Sequence, residues 1–247
     1  MTKRRFSVAP QCFRSVEYNN EGDGMTRQRS LLTPGPMSLS AAVKTQMQFD
    51  LASRDCEFKE VTARMRRLML NLSGNPETYS VVPIQGGGSF AMEAALCSFV
   101  AQADKPLVCI NGIYGERILK ILRLWGVDAL HFVKRATEPL DPQEVAERLS
   151  QNPGITHICF VHCETTTGIV NPLEAIVAEA KRRGVKTIVD GMSSFGAINT
   201  DLSHDGPEVL VTSSNKCIEA PPGSLLSSPL ASCWRMRLTN QGHLCST

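Results

Sequence analysis

The feature that most constrains the fold is a regular alternation of short apolar runs with helical patterns between residues 79 and 211. Short apolar runs indicate buried strands, whereas apolar residues spaced three and four apart indicate helices with one buried face. Strands that alternate with helices form a mostly parallel sheet covered by helices on both faces, so the pattern predicts an α/β fold. The predicted strands are residues 79–84, 107–110, 129–133, 157–161, 187–189 and 209–211, and the predicted helices between them are residues 90–100, 115–125, 141–149 and 172–183.

Two further helices are predicted before the first strand. Ser40 is a suitable N-cap for a helix that reaches Phe49, and residues 57–71 carry apolar side chains at helical spacing. Upstream of both, residues 33–36 read Thr-Pro-Gly-Pro. Proline lacks the amide donor and restricts the residue before it to extended geometry, so this segment is predicted to be a rigid loop.

Composition and charge exclude several classes of partner. The chain has 247 residues, of which 42% are hydrophobic and 20% charged, and this suits one sizeable core or one domain and part of another. A net charge of +2 with few aromatic residues provides no basic stripe, so a nucleic-acid partner is not expected. No apolar run approaches the roughly 20 residues of a membrane span. We therefore predict a soluble protein that does not associate with membranes.

The cysteines are predicted to be reduced. They are nine in number, show no Cys-x-x-Cys spacing and lie mostly in apolar runs, as Cys109 does. Cys159, His162 and Cys163 are close enough in sequence to suggest a metal site. Because zinc takes four ligands, or three and a water, and no second ligand cluster lies nearby, we predict that no metal is bound.

The start of the chain differs in composition from the rest. Residues 1–16 contain lysine and arginine but no acidic residue, and residues 19–24 have the composition of a flexible linker. This is compatible with a mitochondrial transit peptide. A disordered extension before a second start at Met25 explains it slightly better. Residues 1–24 are therefore predicted to be a disordered or targeting extension, with either a cytoplasmic or a mitochondrial location.

Lys216 is the leading candidate for chemistry, because residues 209–216 bring this single lysine from an apolar run into a polar turn. An amine that is desolvated near other polar or cationic groups can lose its proton near neutral pH and attack a carbonyl to form a Schiff base. Pyridoxal phosphate is the commonest cofactor that needs such a lysine. A solvated turn lysine is the alternative that this stretch alone leaves open.

A glycine-rich turn follows the first predicted strand. Gly86, Gly87, Gly88 and Ser89 open an alanine-rich helix, so backbone amides and the helix N-terminus are available to an anion. The spacing matches neither the nucleotide P-loop nor the dinucleotide fingerprint. The turn therefore predicts a phosphate site, and a tight turn without a ligand is the alternative.

Three more turns after predicted strands carry side chains suited to a planar cofactor. Asp190 could pair with a protonated pyridine nitrogen, although such an aspartate can also cap a helix or bind magnesium. Residues 162–168 offer hydroxyl groups to a phenolate oxygen, and residues 111–115 can lay an aromatic face over a ring. Ligands of parallel sheets bind beyond the carboxyl ends of the strands, so these turns are expected to meet.

From about residue 31 to residue 223 the chain resembles the fold type I, class V aminotransferases. The resemblance depends on a set of short motifs, which is more specific than any one of them. The motifs are residues 31–36, 53–55, 86–93, 111–115, 162–168, 189–194 and 213–216.

The resemblance implies a pyridoxal 5′-phosphate site in the large domain of such an enzyme. It implies that Lys216 attaches the cofactor and moves a proton between substrate and cofactor, and that Asp190 holds the pyridine nitrogen. It implies further that the ring packs against Tyr114 and that the phenolic oxygen bonds to Thr165. The phosphate is expected to contact Gly87, Gly88, Ser89 and Asn215.

Within the family, the chain is most similar to members that transfer the amino group of 2-aminoethylphosphonate to pyruvate, giving phosphonoacetaldehyde and alanine. The segments 33–36 and 53–55 favour this branch. Alanine:glyoxylate transamination is the alternative, because the same cofactor contacts would serve it. The resemblance also implies a homodimer.

The resemblance ends near Gly223, whereas the family continues into a small C-terminal domain that holds a substrate-binding arginine. Residues 224–247 keep neither helical nor strand periodicity. We therefore predict an incomplete cofactor-binding large domain over residues 25–223, an atypical tail over residues 224–247 and no small domain. Amino-group transfer by this chain is therefore expected to be impaired, and a non-catalytic truncated isoform is the alternative. The missing segments would leave an exposed sheet edge next to the strand over residues 209–211.

Overall fold

The computed structural model describes residues 30–74, 79–200, 202 and 206–229. The predicted extension over residues 1–24 lies outside these residues, as does the chain beyond residue 229. The helices are α1 (Ala41–Gln46), α2 (Cys56–Leu72), α3 (Gly88–Phe99), α4 (Ile113–Leu124), α5 (Pro142–Gln151) and α6 (Leu173–Arg182). The strands are β1 (Tyr79–Ile84), β2 (Pro106–Ile110), β3 (Leu130–Val133), β4 (His157–Val161), β5 (Lys186–Asp190), β6 (Val209–Ser213) and β7 (Ser224–Pro229).

Every strand predicted from an apolar run is present, and the helices between them are present with small shifts of their ends. Ser40 caps α1 as predicted, since its Oγ accepts a hydrogen bond from the Val43 amide at 3.2 Å. The helix ends at Gln46 and does not reach Phe49. No residue of α1 is buried, and an unpacked helix gains little from a further turn.

The strands form one sheet in the order β1-β7-β6-β5-β4-β2-β3. Neighbouring strands from β6 to β3 are parallel, and β7 is antiparallel to both β1 and β6. All strands except β7 therefore run in the same direction. Their carboxyl ends lie at one edge of the sheet, where the candidate site residues were expected.

Strand β7 corrects the predicted domain boundary at residue 223. The first six residues of the expected tail, Ser224–Pro229, pair with β1 on one side and β6 on the other. Val211 therefore does not lie at an exposed edge, because it pairs with Asp190 of β5 and with Leu226 of β7. The sequence of β7, Ser-Leu-Leu-Ser-Ser-Pro, has neither a continuous apolar run nor alternation of apolar and polar residues, so its pattern gave no strand signal.

The core consists of two layers, one on each face of the sheet. Helices α3 and α4 pack on one face and α5 and α6 on the other. Within β4, Cys159 and Val161 face the first layer, whereas Ile158 and Phe160 face the second. Successive side chains of a strand point to opposite faces, so this split confirms the predicted α/β fold with helices on both faces. In the part of the chain that the structure describes, no helix is long and apolar enough to cross a membrane.

Candidate active site

The buried end of the site centres on Lys216, in the turn after β6. Its side chain is half-buried, and Nζ donates hydrogen bonds to Ser193 Oγ at 2.9 Å and to Thr165 Oγ1 at 3.2 Å. Those two hydroxyl oxygens lie 2.5 Å apart, and Nζ lies 5.5 Å from the centre of the Tyr114 ring. Turns that follow β2, β4, β5 and β6 thus meet at one amine, as predicted for the carboxyl edge of the sheet.

Burial lowers the pKa of the Lys216 amine, although the Asp190 carboxylate acts in the opposite direction. The two hydroxyl acceptors hold the amine in one place. An amine with a lowered pKa is a better nucleophile near neutral pH, because more of it is uncharged. The setting therefore suits attack by Lys216 on a carbonyl carbon.

Asp190 is the last residue of β5, and only 5% of it is exposed. Burial raises the pKa of its carboxyl group to about 6, although the Met192 amide and the positive charges of Lys216 and Arg117 lower this pKa in part. One carboxylate oxygen accepts a hydrogen bond from the Met192 amide at 2.9 Å. A buried carboxylate gains from a further cationic partner, so the position suits a protonated ring nitrogen.

The glycine turn lies directly against the turn after β5. A Cβ on Gly88, the first residue of α3, would come within 2.2 Å of Met192 Sδ. A Cβ on Gly87 would meet nothing within 4 Å, and its φ of −74° suits any residue. Gly86 has a φ of +113°, which favours glycine. Glycine is therefore favoured at residue 86 by its φ and at residue 88 by the close approach of Met192, whereas neither reason applies at Gly87.

Ser89 and Arg117 form the exposed end of the site. Arg117 Nη1 donates a hydrogen bond to Ser89 Oγ at 2.9 Å. The Arg117 Cζ also lies 4.7 Å from the centre of the Tyr114 ring, one helical turn earlier on α4. Sequence reasoning did not identify Arg117, although its spacing of three residues from Tyr114 places both on one face of a helix.

Glu164 is a second residue that sequence reasoning missed. It is fully buried, and its carboxylate accepts hydrogen bonds from the Tyr114 amide at 3.3 Å and from Thr166 Oγ1 at 2.8 Å. A Cβ on Gly112 would come within 2.3 Å of the carboxyl carbon, so the two turns are in close contact. Glu164 therefore holds the turn of Tyr114 against the turn of Thr165.

The proline loop, residues 33–37, packs against the reactive lysine. A Cβ on Gly35 would lie 2.8 Å from Lys216 Cγ, and Gly35 has a φ of +134°. The Met37 amide donates a hydrogen bond to the Asn215 carbonyl at 2.9 Å, and Thr33 Oγ1 donates one to the Pro36 carbonyl at 2.9 Å. The predicted rigid loop is thus a wall of the site. Asn215 contributes this contact through its backbone, and its expected reach to a phosphate stays a prediction.

Cys159, one of the three residues weighed as a metal cluster, lies away from the site. Cys159 is fully buried in the first core layer, where burial raises the pKa of its thiol to about 12. In the described ranges, no group of three or more histidine, cysteine, aspartate or glutamate side chains is placed to hold a metal ion.

Comparison with known proteins identifies the family. The family model described as Aminotransferase class-V matches residues 39–225, and the chain therefore belongs to the class-V aminotransferases. The chain is 41% identical over 193 residues to 2-aminoethylphosphonate--pyruvate transaminase of Pseudomonas aeruginosa (strain UCBPP-PA14), covering 78% of this chain and 52% of that protein. It is 43% identical over 194 residues to the transaminase of the same name from Rhizobium meliloti (strain 1021), covering 78% and 51%. The chain spans about half the length of these curated relatives.

Solved structures agree with the fold. A pyridoxamine-pyruvate aminotransferase from Mesorhizobium loti superposes with a TM-score of 0.75 at 27% identity, over 83% of this chain and 52% of that one. An alanine--glyoxylate aminotransferase from Nostoc sp. has a TM-score of 0.80 at 23% identity, over 91% and 59%, and this shows a common fold. Enzymes of this class use pyridoxal phosphate as their cofactor.

Proposed function

We propose that this chain binds pyridoxal 5′-phosphate at the carboxyl edge of its sheet and takes part in amino-group transfer from 2-aminoethylphosphonate to pyruvate. The observation that carries the proposal is the placement of the Lys216 amine between Thr165 and Ser193, with its pKa lowered by burial. The residues fit the cofactor, because a nucleophilic amine, a buried carboxylate and a glycine turn without a side chain at Gly88 lie at one edge.

When bound, pyridoxal 5′-phosphate supplies a conjugated ring that accepts the electron pair left on the substrate carbon. Lys216 would hold the cofactor through its Nζ, and the same amine would move a proton between the cofactor and the substrate carbon that carries the amino group. Asp190 would pair with the ring nitrogen and favour its protonated form. Tyr114 would pack on the ring, and the Thr165 hydroxyl would donate a hydrogen bond to the phenolic oxygen.

The proposed amino donor is supported by the relatives in Pseudomonas aeruginosa and Rhizobium meliloti, whose names specify 2-aminoethylphosphonate and pyruvate. The proline loop supports it further. This segment carries part of the resemblance to that branch and lies against Lys216, where the substrate amine must arrive. Gly35 leaves the space that the lysine side chain occupies.

The experiment begins with the cofactor alone. The chain is incubated with pyridoxal 5′-phosphate and reduced with borohydride, and the modified peptide is sequenced by mass spectrometry. We expect one adduct, on Lys216. In a separate sample that is not reduced, a single addition of 2-aminoethylphosphonate without pyruvate is expected to convert the bound cofactor faster than alanine does, as followed by its absorption. Faster conversion by alanine would favour the alanine:glyoxylate alternative, and an adduct on another lysine would refute the assignment of Lys216.

We also propose that the chain forms a homodimer through α2. Met69 and Leu70 of this helix pack on the second core layer, but a separate apolar stripe along it is about half exposed. A stripe of that kind at helical spacing favours a helix-mediated contact. The stripe consists of Phe58, Val61, Leu68 and Leu72.

Light scattering after size exclusion tests this contact. The double variant Val61→Glu, Leu68→Glu is expected to reduce the measured mass to that of one chain, whereas Lys59→Glu on the same helix leaves the mass unchanged. A monomeric wild-type chain would contradict the proposal.

A further inference from the structure

Arg117 has no role in the steps described above, yet it contacts two of their residues. Arg117 Nη1 lies 2.9 Å from Ser89 Oγ, and Arg117 Cζ lies 4.7 Å from the centre of the Tyr114 ring. Ser89 lies in the first turn of α3, beside the glycine turn. Arg117 therefore connects the residue expected to bind the cofactor phosphate with the residue expected to pack on the cofactor ring.

The chemistry of the two groups determines the direction of the hydrogen bond. A guanidinium has only donors and stays charged at every physiological pH, so Ser89 Oγ must be the acceptor. The hydroxyl hydrogen of Ser89 is then free to point away from Arg117 and to be donated to another acceptor. Arg117 thus converts a hydroxyl that could accept or donate into one that is directed to donate.

The position of Arg117 is itself restrained. It follows Tyr114 by one helical turn on α4, and its planar group stacks over the ring in a cation–π contact. A lysine at the same position would keep the charge but not the planar, two-sided contact. The restraint leaves the hydrogen bond to Ser89 in place without a bound ligand.

We propose that Arg117 is a positioning residue for a phosphorus oxyanion at the start of α3, acting by directing the Ser89 hydroxyl to donate to that anion and by adding a positive charge next to it. The inference rests on the proposed cofactor function. Two sources offer this chemistry, namely the phosphate of the cofactor and the phosphonate of the amino donor. In both groups a tetrahedral phosphorus carries three terminal oxygen atoms that share about two negative charges, and such oxygen atoms accept charge-assisted hydrogen bonds.

Comparing the binding of two aldehydes tests whether the cofactor phosphate is the anion that Arg117 serves. Dissociation constants of pyridoxal 5′-phosphate and of pyridoxal, which lacks the phosphate, are measured for the wild-type chain, Arg117→Gln, Arg117→Lys and Ser89→Ala. We expect Arg117→Gln to weaken binding of the phosphorylated aldehyde about 10- to 100-fold and that of pyridoxal by less than about twofold. Arg117→Lys is expected to fall between wild type and Arg117→Gln, and Arg123→Gln on the same exposed helix surface to match wild type.

A double variant distinguishes the two proposed effects of Arg117, which are to direct the Ser89 hydroxyl and to add a positive charge. If Arg117 acts through Ser89, Arg117→Gln should weaken phosphate binding less in the Ser89→Ala background than in the wild type. The donor arm compares 2-aminoethylphosphonate with ethanolamine, the same amine without phosphorus, for binding to the cofactor-loaded chain. A loss confined to 2-aminoethylphosphonate would identify the phosphonate as the anion.

The inference is overturned if Arg117→Gln weakens both aldehydes equally and both donors equally, or leaves all four unchanged. A wild-type chain that forms no borohydride-reducible adduct at Lys216 would instead refute the proposed function. The two failures are thus distinguishable, because the first requires a wild-type chain that binds the cofactor.

Discussion

The two ends of the active site differ in how far they are shielded from solvent. At the lysine end, Lys216, Thr165 and Ser193 are half-buried and already hydrogen-bonded to one another, and Asp190 is buried beside them. At the phosphate end, Gly87 and Ser89 are exposed. Both ends therefore have hydrogen bonds in place before a ligand binds, but the reactive amine is half-buried, whereas Ser89 and its partner Arg117 are exposed to solvent. We therefore expect substitutions of buried or closely packed groups to change the stability of the chain as well as ligand binding, and substitutions of exposed groups to change mainly ligand binding.

The largest effect is expected at Lys216. Lys216→Ala removes the amine that attacks the aldehyde, so the borohydride-reducible adduct should disappear completely. Intact-protein mass spectrometry after reduction measures it. Lys120→Ala, at an exposed lysine of α4, is the control and should keep the adduct at full stoichiometry. An adduct of unchanged stoichiometry in Lys216→Ala would show that another lysine reacts.

Asp190→Asn should have opposite effects on cofactor binding and on stability. Binding of the cofactor weakens, because the charge pairing with the ring nitrogen is lost. The ligand-free chain becomes more stable at pH 8, because the wild-type carboxyl group has a pKa raised to about 6 and must be buried as an anion above that pH. The expected gain is about 2 to 3 kcal/mol in the free energy of unfolding.

The sign of this effect depends on pH. A group with a raised pKa contributes stability that is complete below its unfolded pKa near 4 and is lost as the pH rises through about 6. Urea unfolding of wild type and Asp190→Asn should therefore converge at pH 4 and diverge at pH 8. Asp128→Asn, at an exposed position, should follow wild type throughout. A constant difference across the pH range would exclude titration of Asp190 as the cause.

Gly87 and Gly88 are adjacent residues of the phosphate end and are expected to respond differently to the same substitution. Gly88→Ala forces a methyl group against Met192 Sδ and should cost about 1 to 3 kcal/mol of stability as well as cofactor affinity. Gly87→Ala places the methyl group in open space at an ordinary φ, and we expect a change within about 0.5 kcal/mol. Thermal unfolding with and without cofactor measures both. Equal losses in the two variants would mean that contact with Met192 is not the reason for glycine.

The smallest effect is expected from Thr165→Val. Thr165 Oγ1 accepts a hydrogen bond from the Lys216 amine, which favours the charged form, so its removal should lower the pKa of Lys216 further. Reductive methylation of Lys216 by formaldehyde, followed across pH by mass spectrometry, should then begin at a lower pH. Thr167→Val in the same turn is the matched control, since Thr167 is exposed. A profile shifted to higher pH would contradict the role of Thr165 as an acceptor.

Local pattern was enough to predict much of the fold. Runs such as residues 157–161 and 209–211 are apolar because both faces of their strands are covered, and this covering makes them recognisable without a partner. Strand β7 was not predicted, because Ser224–Pro229 has no such run and depends on pairing with β1 and β6. The same reasoning explains why a boundary placed at residue 223 from periodicity alone did not agree with the sheet.

Residue types and strand ends alone pointed to Lys216, Asp190 and the glycine turn, because a parallel sheet brings the carboxyl ends of its strands to one edge whatever their order. The contacts of Arg117, Glu164 and the proline loop depended on tertiary structure. They join segments far apart in the chain, as Arg117 joins Ser89 and Gly35 packs on Lys216. Such contacts depend on the order of strands and the packing of turns, which a local pattern of apolar and polar residues does not encode.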